Sequence, residues 1–328
     1  MREIRRILYV RTDRLGDVLM NLPALNLLRQ SYPKAGVTLV ADRSVSGFFK
    51  DHPDLDEVME VDAAQLAVDA KARRELVRQI RRVHYDLAVI SNSSKFFHWL
   101  SFICGIPLRV GWRRKWAFFL NRTLPDEKHK AHRHETEVNL SLLGLVCPGK
   151  WSGTIRLVSD EKASEDMKKL LDEIVGDKRV IAVHAGTSHP GKRWPKEKFI
   201  ELCRQLQARQ KGFLVFIGGE EEVDLTRQII EGLRQPAMDL CGKTSWKQLA
   251  AFFLDARVRT LVSSDSGPLH VAWMCGKPVV AFYAKNVPGS DPARWGPRDG
   301  KSEVIFKDMN EITVEESLER IDRALSYG

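Results

Sequence analysis

The sequence predicts an α/β protein of two Rossmann-like halves, each built on a parallel sheet, facing each other across a central cleft. Three observations carry this. At 328 residues the chain is about twice the usual domain length, which favours two domains. Short apolar runs alternate with amphipathic stretches of helical period, as parallel βα units require. After Pro148-Gly149 the pattern starts again from its beginning, so the join falls near residues 148–160.

In chain order, Ile7-Leu8-Tyr9-Val10 reads as a strand, apolar throughout because both faces of a parallel sheet are covered. A helix is expected from about Gly16 to Ser31, then strands at Val37–Val40 and Val58–Val61. Leu66 to His84 forms a helix with a strongly basic outer face, followed by the strand Asp86–Ile90. The second half opens with a helix near Asp160–Val175 and the strand Val180–Val183. Helix Pro195–Gln210, strand Phe213–Ile217 and helix Glu222–Leu233 come next. Helix Trp246–Leu254, strand Arg259–Val262, helix Pro268–Cys275 and strand Pro278–Tyr283 follow, and Thr313–Ser326 is again amphipathic and helical. No heptad array or solenoid repeat interrupts the order.

Composition narrows the function classes. With 43% hydrophobic and 29% charged residues the chain is of the soluble globular type. Its longest nearly apolar stretch, Trp99–Leu108, contains a Gly and a Pro and falls well short of the roughly 20 residues that span a bilayer. Only Ile7 to Val10 are apolar in a row before Arg11, so no secretory leader is read and a cytoplasmic location is expected. Cys104, Cys147, Cys203, Cys241 and Cys275 are widely spaced, odd in number and without a C-x-x-C pair. They read as small buried apolar residues.

The net charge of +9 is one-sided. Residues 1–160 hold 26 Lys and Arg against 18 Asp and Glu; residues 161–328 hold 26 against 25. A positive first half points to an anionic partner: nucleic acid, an acidic membrane surface or a phosphorylated acceptor. Charge alone does not choose among them.

Ligands of open α/β sheets bind beyond the carboxyl ends of strands, so the loops there are the candidate sites. The first strand runs into Arg11-Thr12-Asp13-Arg14-Leu15-Gly16-Asp17-Val18-Leu19, where Gly16 permits a tight turn into the helix. Asp17 there reads as a general base with Asp13 one loop away, or either acid caps the helix. The absence of G-x-G-x-x-G argues against a nicotinamide dehydrogenase. In the second half, His184-Ala185-Gly186-Thr187-Ser188-His189-Pro190-Gly191-Lys192-Arg193-Trp194-Pro195 suits a phosphate, with hydroxyl and amide donors and the Lys192 charge, or is an ordinary polar loop.

Ser263-Ser264-Asp265-Ser266-Gly267-Pro268-Leu269-His270 opens a helix at which the amides of Ser266 and Gly267 point at an anion, with His270 one turn inside. Gly218-Gly219-Glu220-Glu221-Glu222 offers a carboxylate to ribose hydroxyls, or complements a helix N-terminus. Two further signals read as empty. Asp54-Leu55-Asp56 is a solvated turn rather than a cation site. His129, His132 and His134 lack the partner that would complete a tetrahedral zinc set, so no metal is expected. Arg109 to Phe119 interleaves cations with aromatics and fits an interfacial membrane contact, a phosphate-rich acceptor, nucleic acid, or a basic surface over aromatics turned inward.

In this order and spacing the loops resemble the bacterial ADP-heptose:lipopolysaccharide heptosyltransferase family, inverting glycosyltransferases of the GT-B fold. The resemblance covers nearly the whole chain. It is carried by Asp13-Arg14-Leu15-Gly16-Asp17-Val18-Leu19 with Leu22-Pro23-Ala24-Leu25, by Asp265-Ser266-Gly267-Pro268-Leu269-His270 with Gly276-Lys277-Pro278, and by His184-Ala185-Gly186 with Lys192-Arg193-Trp194-Pro195.

The resemblance implies an acceptor-binding domain over 1–158 and a nucleotide-sugar-binding domain over 159–328, with the last helix free to pack back on the first domain. Asp17 then resembles the catalytic base, and Lys192 the cation that meets the departing diphosphate. Thr187, Ser188 and Lys192 resemble donor phosphate contacts, Asp265, Ser266, Gly267 and His270 the second donor loop, Glu222 the ribose contact and Thr244 the reader of the adenine edge. Asp13, Arg14, Arg113 and Arg114 become the expected acceptor contacts. The implied donor is ADP-heptose and no cofactor is obligatory. The implied acceptor is an anionic lipid-saccharide of the Kdo–lipid A type, or one already heptosylated, met peripherally at the cytoplasmic face of the inner membrane, with no nucleic acid partner. Two alternatives remain: a GT-B enzyme using another nucleotide sugar, and a non-catalytic basic protein binding membrane or nucleic acid.

Overall fold

The computed structural model describes residues 3–327 apart from 93, 128–132, 154–156, 158 and 188. The chain divides into two compact units, Met1–Ile155 and Arg156–Gly328.

The first unit runs β1 (Arg6–Val10), α1 (Leu15–Leu19), α2 (Leu22–Ser31), β2 (Gly36–Asp42), α3 (Arg43–Phe49), β3 (Glu57–Val61), α4 (Ala63–Val68), α5 (Ala70–Val83), β4 (Leu87–Ile90), α6 (Lys95–Ile103), β5 (Leu108–Arg113), β6 (Arg122–Pro125) and α7 (Glu135–Leu143). Its six strands are parallel in the order β3-β2-β1-β4-β5-β6. The chain winds outward from β1 in one direction and, from β4, in the other, so the order reverses between β1 and β4. Loops leaving those two strands part from each other and leave a crevice at the carboxyl edge. The core above β1 and β4 is aliphatic and aromatic: Leu8, Val10, Val40, Ile80, Ala88, Ile90, Phe97 and Leu100 are all buried within it.

The expected helix over Gly16–Ser31 is two helices. Pro23 stands at the second position of α2 and has no N–H to give back to the preceding turn, so α1 closes at Met20 and α2 starts afresh after Asn21. Gly16 lies inside α1 and is not among the glycines with positive φ; the turn into the helix does not use it. The expected helix Leu66–His84 is likewise divided, because the Asp69 side chain accepts from the Lys71 N–H and caps α5. The region read as basic and aromatic, Arg109 to Phe119, holds most of β5 and lies between α6 and β6, three elements that patterning did not show. In β5 the alternation Arg109, Gly111, Arg113 with Leu108, Val110, Trp112 resembles a surface segment until β4 is placed beside it.

The second unit runs α8 (Glu161–Ile174), β7 (Val180–His184), α9 (Lys196–Ala208), β8 (Phe213–Phe216), α10 (Val223–Glu231), β9 (Met238–Asp239), α11 (Trp246–Leu254), β10 (Val258–Ser264), α12 (Gly267–Met274), β11 (Val279–Ala284), α13 (Pro292–Trp295), β12 (Glu303–Lys307) and α14 (Val314–Ser326). Its parallel order, β12-β11-β10-β7-β8-β9, repeats that of the first unit, with the reversal between β7 and β10. Helix α14 packs on α9 and on β10, β11 and β12 of this same unit, burying Leu318, Ile321 and Ala324. Trp194 is fully buried, its rings against Phe199 and Phe282 and its indole N–H on the Ile312 carbonyl 3.1 Å away; it fixes the end of the His184–Pro195 loop.

All five cysteines are free. Burial pushes the Cys104 thiol up to about 11 and those of Cys203 and Cys275 up to about 12, so they fill space and are poor nucleophiles.

Candidate active site

Each unit gathers its polar residues at its own reversal point. In the first, Arg11 follows β1 and is 3% exposed. A buried guanidinium must find partners. It donates to the Ser91 carbonyl at 2.9 Å, just past β4, and to Asp17 Oδ1 at 2.8 Å. Its Nε lies 2.9 Å from Asp13 Oδ2, and Glu135 Oε1, fully buried at the start of α7, is 3.6 Å away. Three carboxylates around one guanidinium outweigh the cost of burial and raise the Arg11 pKa, so its charge is permanent.

Arg14, not an acid, stands at the N-cap of α1; Asp17 lies in the first turn with its carboxylate turned to Arg11 rather than to the helix amides. The side chain of Asp17 is 29% exposed, so its second oxygen can reach a ligand. Behind it Asn21 donates to the Asp17 carbonyl at 2.7 Å and accepts from the hydroxyls of Tyr9 and Ser91 at 2.7 and 2.6 Å. Burial raises the Tyr9 hydroxyl well above its ordinary pKa and keeps it a donor. This buried network fixes the backbone that carries Asp17. Sequence reasoning missed Arg11, Asn21, Ser91 and Glu135, which come from four separate segments.

Arg113 ends β5 and Arg114 follows it, both exposed at the same carboxyl edge as Arg11 and two strands along the sheet. Arg113 donates to Thr123 Oγ1 at 3.5 Å, and Arg114 pairs with Asp126. The Asp54-Leu55-Asp56 acids are used internally: Asp56 is held by Arg29 and the Val37 N–H, and Asp54 accepts from Asn26. His129 and His132 lie outside the described residues, and His134 turns its Nδ1 to Thr136. Among the described residues no group of three metal-ligating side chains converges.

In the second unit Lys192 Nζ lies 2.7 Å from Asp265 Oδ2, and His270 Nε2 is 3.8 Å from Asp265 Oδ1. Lys192 closes a short 3-10 turn, Asp265 leaves β10, and His270 is in the first turn of α12 behind Gly267 and Pro268. Trp273 donates its indole N–H to His270 Nδ1 at 3.4 Å. Asp265 therefore aims the ammonium and the imidazole at one place.

The neighbouring Ser266 belongs to a second group. His184, buried at the end of β7, has Nδ1 3.2 Å from Ser266 Oγ and 3.0 Å from Ser263 Oγ, while Nε2 faces Glu222 Oε1 at 3.5 Å. Ser263 already gives its proton to the Ser264 carbonyl at 2.7 Å. The Nε2–H tautomer, accepting from Ser266 and donating towards Glu222, satisfies the set.

Burial pushes the Glu222 carboxyl up, but His184, the Gly219 N–H and the Arg193 charge together bring it below the usual range. Glu222 reaches this position because Gly186 has no side chain: a Cβ there would stand 2.0 Å from Glu222 Oε1. Thr187 is buried, with Oγ1 3.5 Å from the His189 N–H; Ser188 lies outside the described residues. Thr244 is half-buried ahead of Ser245, the N-cap of α11, in a loop whose Gly242 N–H bonds the Gly218 carbonyl at 3.0 Å. Thus Thr187, Lys192, Glu222, Asp265, Ser266, Gly267 and His270 follow β7, β8 and β10, and His184, which sequence reasoning did not single out, links Glu222 to Ser266.

Residues 73–321 match the profile of Glycosyltransferase family 9 (heptosyltransferase). Lipopolysaccharide heptosyltransferase 2 of Escherichia coli is 25% identical over 316 residues, covering 92% of this chain and 87% of the relative. Among solved structures, a family 9 glycosyltransferase from Veillonella parvula superposes with a TM-score of 0.89 at 21% identity, over 100% of this chain and 99% of its own. The E. coli ADP-heptose LPS heptosyltransferase II does so with 0.83 at 23%, over 98% and 99%. The fold is of the GT-B class, and the chain belongs to glycosyltransferase family 9, the heptosyltransferases.

Proposed function

We propose that the protein moves a heptose from ADP-heptose to the inner core of lipopolysaccharide, with inversion, as a cytoplasmic enzyme that works peripherally at the inner membrane. The observation that carries the reading is a matched pair of strand-end clusters: a guanidinium-held carboxylate after β1, and a lysine–carboxylate–histidine group after β7 and β10, in a chain of the heptosyltransferase family. The E. coli relatives are a lipopolysaccharide heptosyltransferase and an ADP-heptose enzyme, which supports the donor and acceptor class.

In this reading the first unit, over 1–158, binds acceptor and the second, over 159–328, binds donor. Asp17 takes the proton of an acceptor hydroxyl as it attacks the anomeric carbon from the face opposite ADP. Arg11 holds the Asp17 side chain in place through Oδ1. Negative charge grows on the departing diphosphate, where Lys192 and the amides of Ser266 and Gly267 neutralise it. Asp265 holds Lys192 until phosphate oxygens take over its ammonium. His270, Thr187 and Ser188 complete the phosphate contacts, Glu222 accepts from the ribose hydroxyls and Thr244 reads the adenine edge. Asp13, Arg14, Arg113 and Arg114 meet the phosphates and carboxylates of the acceptor. The scheme uses no metal.

Mass spectrometry of a Kdo–lipid A acceptor incubated with ADP-heptose tests the reading. The expected product carries one added heptosyl unit, with none formed from UDP- or GDP-sugars. Transfer from another nucleotide sugar and not from ADP-heptose would establish the same-fold alternative instead.

A further inference from the structure

Three large aromatic side chains on the first unit are turned to solvent side by side. Phe118 is 76% exposed, Phe102 50% and Trp116 41%. Their rings gather around half-buried Phe119, with centroids 4.4, 5.2 and 6.1 Å from it for Phe118, Phe102 and Trp116. Isolated exposed hydrophobics need no explanation, but a contiguous aromatic cluster does. The backbone strengthens the point. Trp116 has φ +67°, a left-handed conformation that a bulky residue rarely adopts, and it is held there on the exposed turn between β5 and β6. Folding has not turned these rings inward.

The charge around the cluster identifies what covers it. From residue 87 to residue 125 there is no Asp or Glu, while Lys95, Arg109, Arg113, Arg114, Lys115 and Arg122 all fall in that span. Lys95 and Phe102, seven residues apart on α6, share one face, and Lys95 Nζ lies 5.1 Å from the Trp116 ring. Arg109 supports Phe102 from beneath, 5.5 Å from its ring, with its guanidinium tied to the Phe119 carbonyl. Lys115 is exposed beside Trp116. A second copy of this chain would bring like charges face to face in a two-fold contact. Aromatic rings ringed by cations match a bilayer interface bearing anionic headgroups, where rings enter the headgroup–acyl boundary and ammonium groups meet phosphates.

We propose that Phe102, Trp116 and Phe118, with Lys95 and Lys115, form the surface by which the protein docks on an anionic lipid bilayer. The proposal deepens the reading of a lipid-linked acceptor and rests on it for its purpose, but its test uses neither donor nor acceptor.

The measurement is flotation of the full-length protein with vesicles of phosphatidylethanolamine and phosphatidylglycerol, against vesicles of phosphatidylcholine alone, at low and high salt. The wild type is expected to float with the anionic vesicles only, and less so in salt. Phe118→Ser is expected to weaken partition about tenfold, as loss of one inserted ring implies. Lys95→Glu with Lys115→Glu is expected to abolish the preference for anionic lipid. Both variants alter exposed side chains, and an unchanged melting temperature certifies the fold. Transfer to a short acceptor without acyl chains is expected to continue at the wild-type rate in Phe118→Ser. Equal binding of wild type and Phe118→Ser, no binding of wild type to anionic vesicles, or a dimer in solution that Phe118→Ser dissociates would each overturn the proposal. Failure of heptosyl transfer with vesicle binding intact would strike the proposed reaction and leave the docking surface standing.

Discussion

Arg11 shows how much of the first cluster depends on one side chain. Its guanidinium is the partner of Asp17, Asp13 and the fully buried Glu135. Arg11→Met would remove the guanidinium from beside a buried carboxylate, at a cost of about 3–5 kcal/mol, and should lower the melting temperature by several degrees at pH 7. An unchanged melting temperature would mean that the three acids do not depend on that charge. In the second unit the close approach of Glu222 to Gly186 has no slack. Gly186→Ala is expected to displace the carboxylate and weaken ADP binding about tenfold, the scale of one charge-assisted hydrogen bond, without unfolding; calorimetric titration with ADP gives the answer, and an unaltered Kd would remove Glu222 from the donor site. Asp17, Lys192, Asp265 and His270 were candidates from the sequence because each lies in a loop or helix start that follows a strand and because the family resemblance points to them; that Lys192 and His270 meet at Asp265 is what the structure adds. Arg11, Glu135 and His184 were not, because what distinguishes them is burial and convergence from distant segments.

At the scale of elements, strands with uninterrupted apolar runs were readable, β1, β4, β7 and β8 among them, since burial on both faces leaves an unmistakable pattern. The stretch from α6 to β6 was not, because its aromatics and cations obey a surface, a core and a sheet at once. His98 on α6 records this packing. It is fully buried against β5, and burial lowers its pKa from the ordinary 6.5 against the opposing effect of the Lys115 backbone. The unfolded chain therefore binds this proton more readily than the folded one, so stability from the neutral ring is present above about pH 6.5 and is lost as pH falls through the lowered folded value. His98→Leu should flatten the decline in melting temperature between about pH 7.5 and 5.5; an identical slope in the variant would show that His98 does not titrate with unfolding. The division of the predicted helices at Pro23 and Asp69 was present in the sequence as a proline and a capping acid, each outweighed by the apolar periodicity around it.

Over the whole molecule, the same six-strand order occurs twice, and Asp13, Arg14 and Asp17 in one unit and Thr187, Lys192, Asp265, Ser266, Gly267 and His270 in the other follow strands that flank the reversal, while Arg113, Arg114, Glu222 and Thr244 follow strands farther out. That recurrence explains why two halves were readable from a pattern that restarts after Pro148-Gly149, and why the candidate residues fall in segments that follow strands. Positive charge is concentrated in residues 1–160, where an anionic acceptor is proposed, and the remainder is nearly neutral. No helix among the described residues is long and apolar enough to cross a membrane. The proposed transfer turns on Asp17 as the base that takes the acceptor proton. Its most direct test is the turnover of Asp17→Asn with ADP-heptose and Kdo–lipid A, read beside its affinity for ADP. With Asp17 as the base, kcat falls by at least about a hundredfold, the usual worth of a positioned base, while the ADP Kd stays at the wild-type value; wild-type turnover in the variant would contradict that role.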